Sequence, residues 1–384
     1  MANAADLFED YRPGSFLLAS AERTLLTTGA RAVIREQNPD ELATLVTKQL
    51  VDDGAPVAVG ALPFDHTAAP YLVVPETVRW AGPLGARPTG PTMSAGDVEV
   101  EHVPAPTAYE QGVASAVREL RAGELRKVVL ARALRLTMAD PVAVAPLVAN
   151  LAADNTAGYT YAVDLPAAEA ARRTLVGATP EMLVSRFGHL VVANPLAGSM
   201  PRHPDPEIDE ANAQTLLSSA KDLEEHRVVV AAVAKTLRPF CRHLLVPETP
   251  MLIRTSAVWH LSTTITGHLI DPDISALRLA SALHPTPAVC GMPPAMARRT
   301  IADIEPFDRG FYGGAVGWVD AEGDGQWVVA IRCAEIEEQR GGRSAMTLYA
   351  GAGIMPASDP SMELVETSAK FRTLLRGMGL TLDA

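Results

Sequence analysis

Four things are scarce or missing in this chain, namely cysteine, basic runs, long apolar runs and clustered histidine, and each shortage removes a class of protein. The three cysteines, Cys241, Cys290 and Cys333, lie far apart with no CxxC spacing. That argues against a disulfide framework or a structural zinc site and fits a reducing compartment. Nine histidines are scattered with no HxH or HExxH pattern, so a zinc enzyme is not expected. The longest apolar run, Val228 to Ala234, is far too short to cross a bilayer. Met1 to Tyr11 has no apolar core of the signal-peptide kind, so a cytoplasmic protein with no membrane partner is expected. Lys and Arg number 33 against 45 Asp and Glu, for a formal net charge of -12. With no basic stretch to interrupt that charge, nucleic acid is not expected as a partner. An anionic substrate has to be met by a few placed cations or by a metal, since the overall field repels it. No repeat at a fixed period marks a solenoid or propeller.

What is present is an ordinary globular composition, 48% hydrophobic and 20% charged over 384 residues, enough for one large domain or two ordinary ones. Residues 1–104 mix short apolar stretches (Val57 to Leu62, Tyr71 to Val74) with many Gly and Pro, which reads as short strands joined by turns. The segment Ala81 to Pro91 is the best loop there; it lacks the ending of a phosphate loop. Tyr109, Val113, Val117 and Leu120 then repeat at helical spacing until Gly123. Lys127 to Leu136 reads as a strand with Lys127, Val129 and Ala131 on one face. Residues 205–238 read as one helix, with Asp205 as N-cap, Pro206 at the first helical position and Pro239 as the stop. A further helix starts at Asp359-Pro360 and runs towards Arg376. Strands are expected at Val258 to Thr266, Gly314 to Val319, Trp327 to Cys333 and Met346 to Ala350. Strands adjoin one another more than they alternate with helices, so the expected class is α+β with mostly antiparallel sheet.

Two acidic pairs stand out. Asp222 and Glu225 are three residues apart, as are Glu363 and Glu366, so each pair shares one helical face. If those faces oppose each other, four carboxylates need a cation between them, and all-oxygen ligands suit a hard ion such as magnesium. Either pair alone reads equally as a solvated helix face, and spacing cannot show that the pairs meet. Lys127 leads an otherwise apolar strand; burial makes its charged form costly, which suits a base, although a lysine whose stem packs while its head reaches water looks the same in sequence. Glu181 follows a Gly/Pro turn and precedes Met182 to Val184, where desolvation can keep a carboxyl protonated as a proton donor. It reads equally as a turn-end surface charge. His260 lies in an apolar strand and reads as a core histidine. Ser199 lacks the frame of a nucleophile elbow, and Gly351 and Gly353 permit close backbone approach to a ligand or a bulge.

Taken in order, KVVLAR (127–132), GATPEMLVSR (177–186), PLAGSMPR (195–202), SAKDLEEHRVVV (219–230), VWHLSTTITG (258–267), LHPTPAVCG (283–291), FDRGFYGGAVGW (307–318), IRCAEI (331–336) and LYAGAGIMPASDPSMELVETSAK (348–370) resemble the chorismate-utilising enzymes. The resemblance covers about residues 105–380, so residues 105–384 are expected to be the chorismate-binding catalytic core and 1–104 a more variable N-terminal part of the fold. It implies two layers of antiparallel sheet wrapped by helices, with the active site between them. It also implies magnesium held mainly by Glu225 and Glu366, with Asp222 and Glu363 completing the shell or its waters. Position 222 is often glutamate in relatives, and an aspartate is shorter. Arg332, Lys370 and Tyr312, the backbone at Gly351 and Gly353, and Gly198 and Ser199 match substrate-binding positions, and His260 matches a histidine lining the site. Lys127 stands where isochorismate and salicylate synthases carry the base that activates water, and Glu181 matches the acid that protonates the departing C4 hydroxyl. Aminodeoxychorismate synthases use a lysine in a PIKGT motif as a nucleophile; here Ala197 occupies that place. The resemblance therefore implies an isochorismate synthase needing no amidotransferase subunit. Salicylate synthase, an amidotransferase-coupled subunit and a non-catalytic chorismate-binding relative are the alternatives.

Overall fold

The structure is a computed structural model that describes residues 3–85, 98–167, 172–339 and 342–380. Its class is α+β with antiparallel strand pairing, as the sequence leads one to expect. A ten-stranded sheet and a nine-stranded sheet lie face to face. Apolar side chains from both fill the space between them, Phe16, Leu18, Tyr161 and Leu175 from the first against Val57, Val59, Val316 and Val328 from the second. Helices Ala4–Glu9, Val144–Asp154 and Pro360–Met378 cover the outer face of the first sheet. Helices Pro39–Asp53, Ala220–Leu237 and Ala276–Leu283 cover the second. A third sheet of Met251–Arg254, Val258–Ser262 and Leu196–Pro201 was not foreseen from sequence. Strands from the first hundred residues enter both large sheets, Ser15–Ala19 in one and Val57–Leu62 in the other. Among the described residues no helix is long and apolar enough to cross a membrane.

Local chemistry sets the element ends. Helix Pro106–Ala122 has proline in its first turn and stops at Gly123, whose φ of +95° only glycine adopts at little cost. Its Tyr109, Val113, Val117 and Leu120 are buried, as their spacing implies. Asp359 caps helix Pro360–Met378 by accepting from the Ser361 and Met362 N–H groups. Strand Lys127–Met138 is buried on both faces: Val128, Leu130, Leu134 and Leu136 point to helices, Ala131 and Ala133 into the sandwich. Of the expected loop Ala81 to Pro91, residues 82–85 are irregular and residues 86–91 lie outside the described residues.

Three sequence expectations need correction, and all three fail by joining what the fold separates. Residues 205–238 form two helices, Pro206–Ser218 and Ala220–Leu237, because Ser219 turns extended (φ -70°, ψ 111°) and caps the second through the Asp222 N–H. Val258 to Thr266 is two strands, Val258–Ser262 in the small sheet and Ile265–Leu269 in the nine-stranded one. Trp327 to Cys333 likewise splits into Gly325–Val329 and Cys333–Glu338, which belong to different large sheets.

One buried ion pair joins these parts. Arg309 donates to Glu305 (2.8 Å from Nε to Oε2) and to the carbonyls of Val289 (2.7 Å) and Val129 (2.8 Å). Glu305 also accepts the Ala131 N–H at 2.7 Å, and Phe64 lies 4.5 Å from the guanidinium carbon. Removing one partner leaves the other charge buried, so Glu305→Ala is expected to cost about 3–5 kcal/mol. Denaturant unfolding checks this; a loss within 1 kcal/mol, as an order of magnitude for a surface site, would show the pair to be dispensable.

Candidate active site

The candidate site lies where the chain passes between sheets. Arg172–Thr179 belongs to the ten-stranded sheet and Met182–Phe187 to the nine-stranded one, so Pro180 and Glu181 form a crossover. Residues 330–332 form another, and the Arg332 backbone takes φ +50°, a conformation uncommon outside glycine and often found at functional positions. Two hydrogen bonds tie the crossovers together, Ala178 N–H to the Arg332 carbonyl (3.0 Å) and Val329 N–H to the Glu181 carbonyl (3.0 Å). Beside them runs a cleft. Glu181, Gly198, Ser199, Glu225, His260 and Tyr312 line it together with Arg332, Gly351, Gly353, Glu366 and Lys370, among apolar residues such as Val129, Leu196 and Ile331. Lys127, Asp222 and Glu363 are buried behind its wall.

Two glycines leave room at the acidic side chains. A Cβ at Gly353 would stand 2.0 Å from Glu225 Oε1 and 3.1 Å from Lys127 Cε. Gly198 sits at φ +75° in a bulge of strand Leu196–Pro201, and a Cβ there would meet Asp222 Cβ at 3.0 Å. Gly351 brings its carbonyl to Lys370 Nζ at 2.8 Å.

Each charged side chain in the cleft has a partner. Lys127, wholly buried, lies 3.0 Å from Glu225 Oε1, yet the geometry is too bent to count as a hydrogen bond. Lys370 donates to Glu366 Oε1 at 2.6 Å, and Ser199 Oγ donates to the same oxygen at 2.7 Å. Lys221 donates to Glu363 Oε1 at 2.7 Å, and Ser219 Oγ bonds Asp222. Arg332 donates to His260 Nε2 at 2.6 Å, which fixes that nitrogen as the acceptor; the other side of the ring bonds the Gly198 backbone. Burial, with Arg332 and Lys370 nearby, drives the His260 pKa well down and keeps the ring neutral. Tyr312 stacks on Tyr349, ring centroids 5.0 Å apart.

The acids divide into two kinds. Burial pushes Glu181 up to about 8, although the Leu196 N–H and the charges of Lys127, Lys370 and Arg332 pull the other way, so its carboxyl keeps a proton at neutral pH. Burial also raises Glu363, to about 7, with repulsion from Glu366 adding and Lys221 opposing. Asp222 is raised by burial and by Glu225 and Glu366, against Ser219 and Lys221. For Glu366 burial acts upward too, but Lys370, Lys221 and the Ser199 hydroxyl outweigh it and hold the carboxyl below its usual range. The two acidic pairs sit on helices Ala220–Leu237 and Pro360–Met378, and the charge of Glu366 on the second acts on Asp222 of the first. Among the described residues no three His, Cys, Asp or Glu side chains stand close enough to hold an ion by themselves.

Sequence reasoning missed Lys221, because a helix lysine beside an acidic pair looks like an ordinary surface charge. It also missed Tyr349 and the Glu305–Arg309 pair. The only signal for Lys221 is its position next to Asp222 in SAKDLEEH.

Comparison with known proteins adds the following. Residues 86–379 match the family described as Chorismate binding enzyme. The chain is 50% identical over 389 residues to isochorismate synthase DhbC of Bacillus subtilis, covering 98% of this chain and 96% of that one. It is 37% identical to isochorismate synthase EntC of Escherichia coli over 383 residues, 96% of this chain and 95% of the relative. A crystal structure named for a 2,3-dihydroxybenzoate-specific isochorismate synthase, DhbC of Bacillus anthracis, superimposes with a TM-score of 0.94 at 45% identity, over 98% of this chain and 100% of the other.

Glu181 makes stability depend on pH with a definite sign. Its folded-state pKa is raised from 4.5 to about 8, so between those values the folded chain holds a proton that the unfolded chain releases, and stability falls as pH rises. Glu181→Gln removes that term. Its stability relative to wild type is expected to climb from pH 5 to 8 by up to about 4 kcal/mol, read from denaturant unfolding at each pH. A difference that stays flat with pH would mean that the carboxyl titrates normally.

Proposed function

The chain belongs to the chorismate-binding enzymes, and from that membership we propose that it is an isochorismate synthase, converting chorismate to isochorismate by attack of water at C2 and loss of the C4 hydroxyl. The observation that carries the mechanism is a carboxyl held protonated near neutrality and a wholly buried amine set about one cleft that also presents Arg332 and Lys370. Glu181 gives its proton to the departing C4 oxygen. Lys127 takes the proton of the attacking water in its neutral amine form, having first given up the ammonium proton that pairs it with Glu225 in the resting site. Chorismate carries two carboxylates; Arg332 and Lys370 are the cations in the cleft that meet them, with Tyr312 and the backbone at Gly351 and Gly353 setting the ring's position. The Arg332–His260–Gly198 chain fixes the guanidinium before substrate arrives, so little orientation is lost on binding. Apolar walls at Val129, Leu196 and Ile331 limit the water that can compete.

Magnesium fits this donor set. The ion needs only one or two protein carboxylates and fills its shell with water and substrate oxygens, and Glu225 and Glu366 both line the cleft. They are assigned as the ligands, with Asp222 and Glu363 behind them holding bound water. When bound, magnesium supplies positive charge to a substrate carboxylate; the proton transfers belong to the side chains. Water as nucleophile agrees with Ala197, where a lysine would be required for a covalent route. The enzyme is proposed to work without an amidotransferase subunit, in the cytoplasm, as its three free buried cysteines suit a reducing compartment. Its product is assigned to a route of the 2,3-dihydroxybenzoate kind, on the strength of the similar structure's name.

Incubation with chorismate and magnesium is expected to give isochorismate as a reversible mixture, unchanged when ammonium is added and abolished by a chelator that leaves thermal unfolding intact. Salicylate with stoichiometric pyruvate would make it a salicylate synthase, and an amine product appearing with ammonium would overturn water as nucleophile. Lys127→Gln and Glu181→Gln are each expected to fold, bind chorismate and lose about 10²–10⁴-fold in turnover. In the wild type the activity is expected to fall as pH rises through about 8, where Glu181 gives up its proton. Near wild-type turnover in Lys127→Gln would remove the lysine from the mechanism.

A further inference from the structure

Lys221 takes no part in the reaction above and does not line the cleft, yet it is tied to the whole acidic cluster. Its ammonium is 2.7 Å from Glu363 Oε1; the Glu363 side chain is 1% exposed and the Lys221 side chain 26%. The contact bridges helices Ala220–Leu237 and Pro360–Met378, the two elements that carry the four carboxylates. The charges of Glu363, Glu366 and Glu225 all act on Lys221, and Lys221 in turn acts on Asp222 beside it.

We infer that Lys221 is a tethered counter-ion of the acidic cluster, one that holds the two helices together when no divalent ion is bound and sets the concentration at which magnesium enters. This rests on the proposal that Glu225 and Glu366 hold magnesium. Four carboxylates that feel one another in a buried place cannot all be ionised without compensating charge. Lys127 compensates Glu225 from behind the cleft wall and Lys370 compensates Glu366 within the cleft. That leaves the rear pair to Lys221. Being covalently attached, its ammonium is always present at a high local concentration, so with Lys127 and Lys370 it sets three positive charges against the four carboxylates before any ion arrives. The same charge then opposes a divalent cation brought to Glu366. A lysine suits this part better than an arginine, since its single charged group sits on a flexible stem, and at a quarter exposed it has a short path to water.

The test titrates magnesium chloride, without substrate, into wild type and into Lys221→Gln, Lys221→Met and Lys221→Arg, following heat of binding and thermal unfolding. The two neutral variants are expected to unfold at lower temperature without magnesium and to bind it tighter, by about tenfold or more. Lys221→Arg keeps the charge and is expected to stay near wild type in both measurements. Lys221→Gln can still donate a hydrogen bond to Glu363, so it carries the test if Lys221→Met does not fold. Neutral variants that bind magnesium as weakly as wild type, or more weakly, would overturn the inference and reduce Lys221 to a structural bridge. A wild-type enzyme that binds no magnesium, with or without chorismate, would overturn the metal proposal itself, an outcome visible before any variant is made.

Discussion

Charge taken out of water has to be matched within a few ångströms, and this chain matches a series of buried charges around its candidate site. The Glu305–Arg309 pair anchors the series, joining strand Lys127–Met138 to the segments around Val289 and Phe64. From that strand the matching continues outwards. Lys127 meets Glu225, Lys370 meets Glu366, Lys221 meets Glu363 and Arg332 meets the neutral ring of His260. Such pairs are weak sources of stability, because desolvation offsets most of their attraction. Their worth is positional: each fixes the rotamer of a group that a looser site would leave mobile. Glu181, the proposed proton donor, is the exception. It has cations near it but none within bonding reach, so burial wins and the carboxyl stays protonated.

How much of this was legible in the sequence depends on the physical range of each signal. Helix ends at Gly123 and Asp359 and the two-faced burial of the Lys127 strand are local effects, and the residues announced them. The fold class followed from the crowding of strands. The joined strands at 258–266 and 327–333 went wrong for one reason: apolar, β-branched residues run straight through a point where the backbone changes sheet, and nothing in their chemistry marks the change. Those unmarked points are where the site lies. Local patterning can identify Glu181 or Arg332 as unusual neighbours of apolar runs, but not that two crossovers meet and are hydrogen-bonded to each other. Lys221 was hidden differently, since its partner lies 142 positions away on another helix.

Placing the groups at crossovers rather than on long loops has a cost and a benefit. A crossover backbone is held by ladder hydrogen bonds on both sides, so Arg332 can be kept at a φ that a free loop would relax. The glycines serve the same end from the other wall. A Cβ at Gly353 would meet the Glu225 carboxylate and the Lys127 stem, so glycine there lets both side chains lie against the strand.

Strand Ser344–Ile354, which carries Gly351 and Gly353, lies between Lys127–Met138 and Cys333–Glu338 in the ten-stranded sheet. Its neighbour Lys127–Met138 is therefore made about 200 residues before its central partner emerges from the ribosome. Throughout that interval a long, apolar strand edge stands unpaired, and such edges pair readily with other chains. The order of synthesis and the order of the sheet are at odds, and this strand completes its pairing only when the last tenth or so of the chain is made.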